Sequence, residues 1–203
     1  NAYNGIRSVE LVNDICVKHV TAGSSGFVDV SDRNTYMTPI ADTLLVKALV
    51  NGNTNDIAMT VLPNAPIDSA TGLPIPTIAV ATAGGVSVIK DDGSVVDITR
   101  STGNNTWQHV SIENNKIYMA SDLNNSGAFW AVNMPQSDLS GYPTVTGGTT
   151  YTSGSIPAML KYSDNFTVSK DTVFIASITS GRSGLTLLKE NPTTPANGMV
   201  AYT

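Results

Sequence analysis

Charge is what this chain has least of. Only 13% of its 203 residues are Asp, Glu, Lys or Arg, about half the usual share of a soluble domain. Acid is in excess, for a net charge of −5. A surface of that sign repels phosphodiesters and anionic headgroups, which argues against nucleic acid or a membrane surface as partner. Cys16 is the single cysteine, so an intrachain disulfide and a Cys-based zinc site are both excluded. No apolar run approaches the ~20 residues that span a bilayer; the longest, 44–50, is broken by Lys47. Aromatic residues make up only 6%.

What is plentiful is Gly, Ser, Thr and Asn, which favours strands and turns over exposed helices. Residues 76–99 show how they are used. Three short β-type runs, 77–83, 86–90 and 95–99, are joined by Gly84-Gly85 and Asp91-Asp92-Gly93. Gly and Asp accept the positive φ of tight hairpins, so the stretch predicts a three-stranded antiparallel meander.

Related patterns recur along the chain. Each pairs an alternating strand with a Gly-containing turn and a second strand: 15–20 with 21–26 and 27–30; 78–81 with Gly84-Gly85 and 86–89; 117–120 with 124–127 and 128–132; 173–176 with 180–184 and 185–188. Preceding strands are expected at 9–12, 57–62, 110–112 and 166–168. Two stretches interrupt the rhythm. One is 63–76, where Pro63, Pro66, Pro74 and Pro76 oppose regular pairing. The other is 140–154, rich in Gly, Thr and Tyr and without apolar periodicity.

Four units, at about 5–50, 51–100, 106–139 and 156–203, would fill a single β-repeat domain. Units of this size with three or four strands predict an all-β fold of β-propeller type, either a small four-unit ring or part of a larger one. The alternative is a β-sandwich, in which short strands recur without a true repeat. The tail 198–203 suits the strand that closes a ring by pairing with the other end of the chain. Residues 41–50 read equally as a helix capped by Asp42 or as a strand ending at Asn51-Gly52, and 157–162 as one helical turn.

Chemistry is harder to find. His19 and His109 lack metal-ligand spacing and have no carboxylate near them in sequence. Gly23-Ser-Ser-Gly26 and Gly181-Arg-Ser-Gly184 only superficially resemble a nucleophile elbow, and both fall where hairpin turns are needed. Gly84-Gly85 leads into a strand and not a helix N-terminus, so it is no phosphate cradle. The aspartates lie in or beside turns, where Asp is the usual turn former, and the glutamates are only Glu10, Glu113 and Glu190. Residues 121–127 are dense in oxygen ligands but lack the order of an EF-hand. No catalytic residue, metal site or cofactor is expected.

The best binding signal is aromatic. Trp107, Trp130, Tyr142 and Tyr151 cluster around the third unit and the 140–154 insertion. Trp130, inside an alternating strand, is expected in the core. Trp107 follows a polar stretch and is expected at the surface. With His109, Tyr142 and Tyr151 it forms a candidate ligand-binding set, whose rings beside polar side chains would suit a glycan.

The string Ile75-Pro-Thr-Ile-Ala-Val-Ala-Thr-Ala-Gly-Gly-Val-Ser-Val-Ile-Lys-Asp-Asp-Gly93, with the preceding Asn64-Ala-Pro-Ile-Asp-Ser-Ala-Thr-Gly-Leu-Pro74, resembles repeats in tail- or fibre-associated proteins of marine tailed bacteriophages. The resemblance covers about 40 residues, and its motif is a structural hairpin that carries no catalytic residue. It implies propeller-like repeats and a non-enzymatic virion module on the phage exterior or outside the cell. Such a module would present 63–76 and 140–154 to a host glycan or to virion subunits, and a homo-oligomer would fit it. The start at Asn1, without Met or a signal-like opening, leads us to expect a piece excised from a longer chain. A free propeller-type lectin is the second reading and a glycoside-active tail spike the third.

Overall fold

A computed structural model describes residues 6–10, 15–20, 23–27, 38–39, 48–100, 105–121, 128–141, 149–152, 165–169, 172–177, 184–190 and 199–202. These residues form an all-β structure, and no helix occurs among them. The strands are β1 (Ile6–Glu10), β2 (Ile15–Val20), β3 (Gly23–Phe27), β4 (Thr38–Pro39), β5 (Thr54–Thr60), β6 (Thr77–Thr82), β7 (Gly85–Ile89), β8 (Val95–Thr99) and β9 (His109–Glu113). They continue with β10 (Lys116–Ser121), β11 (Ala128–Asn133), β12 (Leu139–Ser140), β13 (Thr149–Thr152), β14 (Asn165–Ser169), β15 (Thr172–Ser177), β16 (Gly184–Glu190) and β17 (Met199–Tyr202).

Four sheets follow one another along the chain, in strand orders β1-β2-β3-β4, β5-β6-β7-β8-β12, β9-β10-β11-β13 and β14-β15-β16-β17. All neighbours pair antiparallel except β12, which lies parallel to β8. The turns explain this meandering. Asn114 and Asn115 both hold positive φ, 50° and 58°, the two-residue geometry that matches the right-handed twist of the strands it joins. Gly93 supplies φ 82° between Lys90 and Ser94, where the Ser94 amide donates to Asp92 Oδ1 at 2.8 Å. Side-chain oxygens thus fix the β7–β8 corner that Asp-Asp-Gly predicts.

The second and third sheets pack face to face. Ala79, Ala81, Val86, Val88, Val96 and Ile98 of one meet Val110, Ile112, Ile117, Met119, Trp130 and Val132 of the other, with Trp107 and Met134 filling the gap. Residues i and i+2 share a face, so each strand contributes alternate side chains. Yet the central strands are buried on their opposite faces as well. Ala79, Val80, Ala81 and Thr82 are each 0% exposed, and on the third sheet Tyr118, Ala120 and Phe129 are buried behind the shared core. Part of the cover over the second sheet is Leu49, buried itself, next to Val50, whose amide donates to Ser87 Oγ at 2.9 Å.

Residues 134–141 strap the two sheets together. The Met134 amide bonds the Asn115 carbonyl at 2.9 Å, Lys90 Nζ reaches Gln136 Oε1 at 3.3 Å, and Asp138 Oδ1 accepts from the Asp97 amide at 2.9 Å. The strap ends in β12, which covers an edge of β8 that would otherwise be open to pairing.

Several expectations are corrected. Among the described residues the tail pairs as β17 with β16 of its own sheet, and with no strand from the far end of the chain. Gly23–Gly26 is strand and not turn, because Val20 and Gly23 are already register partners. The 140–154 stretch contains strand at both described ends, Ser140 in β12 and 149–152 as β13, which completes the third sheet on β11. Residues 48–50 are neither helix nor strand; the rest of the 41–50 candidate, and 157–162, lie outside the described residues.

Candidate contact surface

Trp107 offers no ring to a surface site. Trp107 is 0% exposed, against the expectation from its polar flank. Its backbone amide bonds the Thr82 carbonyl at 2.9 Å, and its carbonyl accepts from Asn55 Nδ2 at 2.7 Å. Two hydrogen bonds therefore draw the residue against the second sheet and carry its indole into the inter-sheet core. There it meets Trp130, also buried as expected, with ring centroids 4.9 Å apart at 60°. The Arg100 guanidinium lies 4.8 Å from the Trp107 ring centroid and 5.5 Å from that of Trp130, within cation–π range of both. This is a packed core unit with no ring face open to a sugar.

His109 sits at the start of β9, opposite Ala120. Its Nδ1 is 3.6 Å from Asp56 Oδ2, a carboxylate remote in sequence that also accepts from the Val110 amide at 3.0 Å. The pair fastens β5 to β9. Tyr151 lies on β13 as the register partner of Phe129, and Tyr142 falls outside the described residues. Among the described residues no group of three or more His, Cys, Asp or Glu could hold a metal ion.

A different surface stands out, on the hairpin between β5 and β6. Thr60 and Thr77 are paired, so 61–76 projects beyond one end of the second sheet. The prolines do not leave it shapeless. Ile67 and Pro74 form an isolated antiparallel bridge, the Ile75 amide donates to the Pro66 carbonyl at 2.8 Å, and the Asp68 amide to the Leu73 carbonyl at 2.9 Å. At the tip the Asp68 carboxylate accepts from Thr71 Oγ1 at 2.7 Å and from the Ala70 and Thr71 amides. These bonds, led by the Thr71 hydroxyl, hold its pKa below the ordinary 3.8. Gly72, at φ 70°, closes the turn in a region that side chains beyond Cα disfavour.

This ordered projection carries Ile67 and Leu73 outward, 61% and 63% exposed. Ile57, Met59 and Val61, alternate residues leading into it, are 52%, 68% and 51% exposed. The sequence signal for this surface is the apolar occupancy of both alternations of the strand: Ala58 and Leu62 on one face, Ile57, Met59 and Val61 on the other.

The chain matches no protein-family model and no curated protein sequence.

Proposed function

We propose that the protein is a non-enzymatic structural module of a phage tail or a similar surface appendage. It is built from propeller-type β-repeats and engages a neighbouring protein subunit through the 61–76 projection. One observation carries the reading: an internally hydrogen-bonded, rigid hairpin displays aliphatic side chains in place of hiding them. Ordered loops on a rigid scaffold are where contact residues concentrate, and exposed apolar patches on them mark protein contacts. A glycan partner would call for exposed aromatic rings, and Trp107 is in the core.

The repeat architecture is supported by burial on both faces of β6 and β7 in the second sheet and of β10 and β11 in the third. A two-sheet sandwich leaves its outer faces polar and open, whereas blades arranged about an axis are covered on both sides. It is supported also by β9, the first strand of its sheet, which packs beside β5 and β14, the first strands of the sheets before and after it. First strands gather in this way around a propeller axis. The resemblance of 64–93 to marine phage tail repeats supplies the biological setting.

The experiment is a binding comparison of the wild-type chain with the Ile67→Asp/Leu73→Asp variant, against isolated appendage subunits (this chain included), host envelope fractions and a glycan panel. Saturable association with a protein subunit, lost in the variant, is expected. Association with glycans alone, unchanged in the variant, would overturn the reading.

A further inference from the structure

The strand β5 is inserted with the wrong face inward for a sheet that stops where this one stops. Its inner alternation, Asp56, Ala58 and Thr60, is half-buried toward the third sheet, while Ile57, Met59 and Val61 face away from it and are exposed. A strand with one solvated face puts its larger apolar side chains inward, because a register slip of one residue exchanges the faces. Here that slip is blocked: Asp56 is tied to the Val110 amide, and from Asp56 to Thr60 the strand holds one continuous register with β6, after a shift between Thr54 and Asp56. The outward row is not isolated either. Met59 pairs with Ile78 and Ile78 with Ile89, so the aliphatic surface runs across the sheet.

We infer that this face, with the tip of the adjoining hairpin, is the contact between two copies of this chain. The inference rests on the structural-module reading and names the subunit engaged. Three features select a second copy. The first is size: the five exposed side chains offer on the order of 500 Å² of apolar surface. A standard interface buries ~800 Å² per partner, and homodimer interfaces are ~65% apolar, so the patch supplies the apolar part of one half.

The second feature is composition. Obligate homodimer interfaces are more hydrophobic than other contacts and resemble a domain core cut in half, and all five residues are side chains of core type. The third is charge. Two copies with net charge −5 repel each other, and least where the meeting surfaces carry no charge and hold the charged ones beyond the screening length. Asp56 faces the third sheet, and Asp68 is turned into its own loop by three hydrogen bonds. An aliphatic surface is complementary to itself across a two-fold axis, as an isologous contact requires.

The test is sedimentation equilibrium of the full chain over a wide concentration range, for the wild type, Met59→Lys, Leu73→Lys and the control Ser137→Lys, with circular dichroism to verify folding. Met59 and Leu73 are exposed in the single chain, so their variants are expected to fold. Wild type and control are expected to associate with equal affinity, and Met59→Lys and Leu73→Lys to weaken association at least ~100-fold, since each change occurs twice in a symmetric contact. A wild type that stays monomeric throughout overturns the inference, as does association that both variants leave intact. Hairpin-dependent binding to a different subunit alongside a monomeric wild type would overturn the second copy and keep the module reading. Loss of every hairpin-dependent association would overturn both.

Discussion

Replacing Trp107 by alanine separates a core residue from a ligand residue more sharply than any other change in this chain. The indole is 0% exposed and packs in a tilted pair against Trp130, with ring centroids 4.9 Å apart, so truncation empties a cavity between two sheets. Buried Trp-to-Ala changes cost about 3–5 kcal/mol, and an aromatic pair adds about 0.5–1.5 kcal/mol beyond area burial. The Arg100 guanidinium loses one of the two rings it lies over, worth up to about 2 kcal/mol when desolvated. The indole Nε1 makes no hydrogen bond to a described residue, so its removal strands no acceptor. The measured truncation cost already contains such lost ring contacts, so the expected loss is about 3–5 kcal/mol and toward the upper end, against a whole-domain stability of about 5–15 kcal/mol. Urea denaturation followed by circular dichroism reads it directly, and Trp107→Phe, which keeps a ring, should lose less than half as much. A variant that loses less than about 1 kcal/mol would refute the burial argument, and so would free acrylamide quenching of native Trp107 fluorescence in a Trp130→Phe background.

Gly85→Ala is expected to destabilise by at least about 1–3 kcal/mol in the same assay, because φ is 148° and a Cβ would stand 2.8 Å from the Ile98 carbonyl oxygen. Gly72→Ala has open space around it but φ 70°, so it should cost only about 1 kcal/mol and act locally on the hairpin. Acid should loosen that hairpin before the core. Asp68 has a depressed folded-state pKa, so its contribution is complete above the unfolded value and lost as pH falls through the lower folded one. Amide shifts of Ala70 and Thr71 are expected to titrate below pH 3.8 while those of β6 and β7 stay fixed, and titration at or above that value would contradict the capping role. Asp138→Ala should release the strap, with faster hydrogen exchange at Asp97 and a loss of about 1 kcal/mol; unchanged exchange there would count against the strap.

The parts legible in the sequence are those governed by local chemistry. Asn114-Asn115 and Asp91-Asp92-Gly93 announce their turns because few residues accept their backbone angles. Trp130 reads as core because it sits in an alternating strand. The misreadings come from non-local hydrogen bonds. Trp107 follows a polar run, and only the distant Thr82 carbonyl and Asn55 side chain show why it turns inward. β12 is two residues long and pairs parallel with a strand some 40 positions earlier, which no periodicity can reveal. β5 was legible as a strand, but its orientation was not, because Asp56 finds its partners at Val110 and His109. Trp107 and His109, two positions apart in sequence, part company for the same reason, the indole entering the core and the imidazole meeting Asp56.

The most direct measurement is the reactivity of Met59 toward mild peroxide oxidation as a function of protein concentration, read by peptide mass spectrometry. Its side chain is 68% exposed in the single chain, so it should oxidise readily in dilute solution. It should become protected at concentrations where copies associate, while buried Met119 resists throughout. Equal reactivity of Met59 at every concentration would contradict the claim that this face is built to be covered.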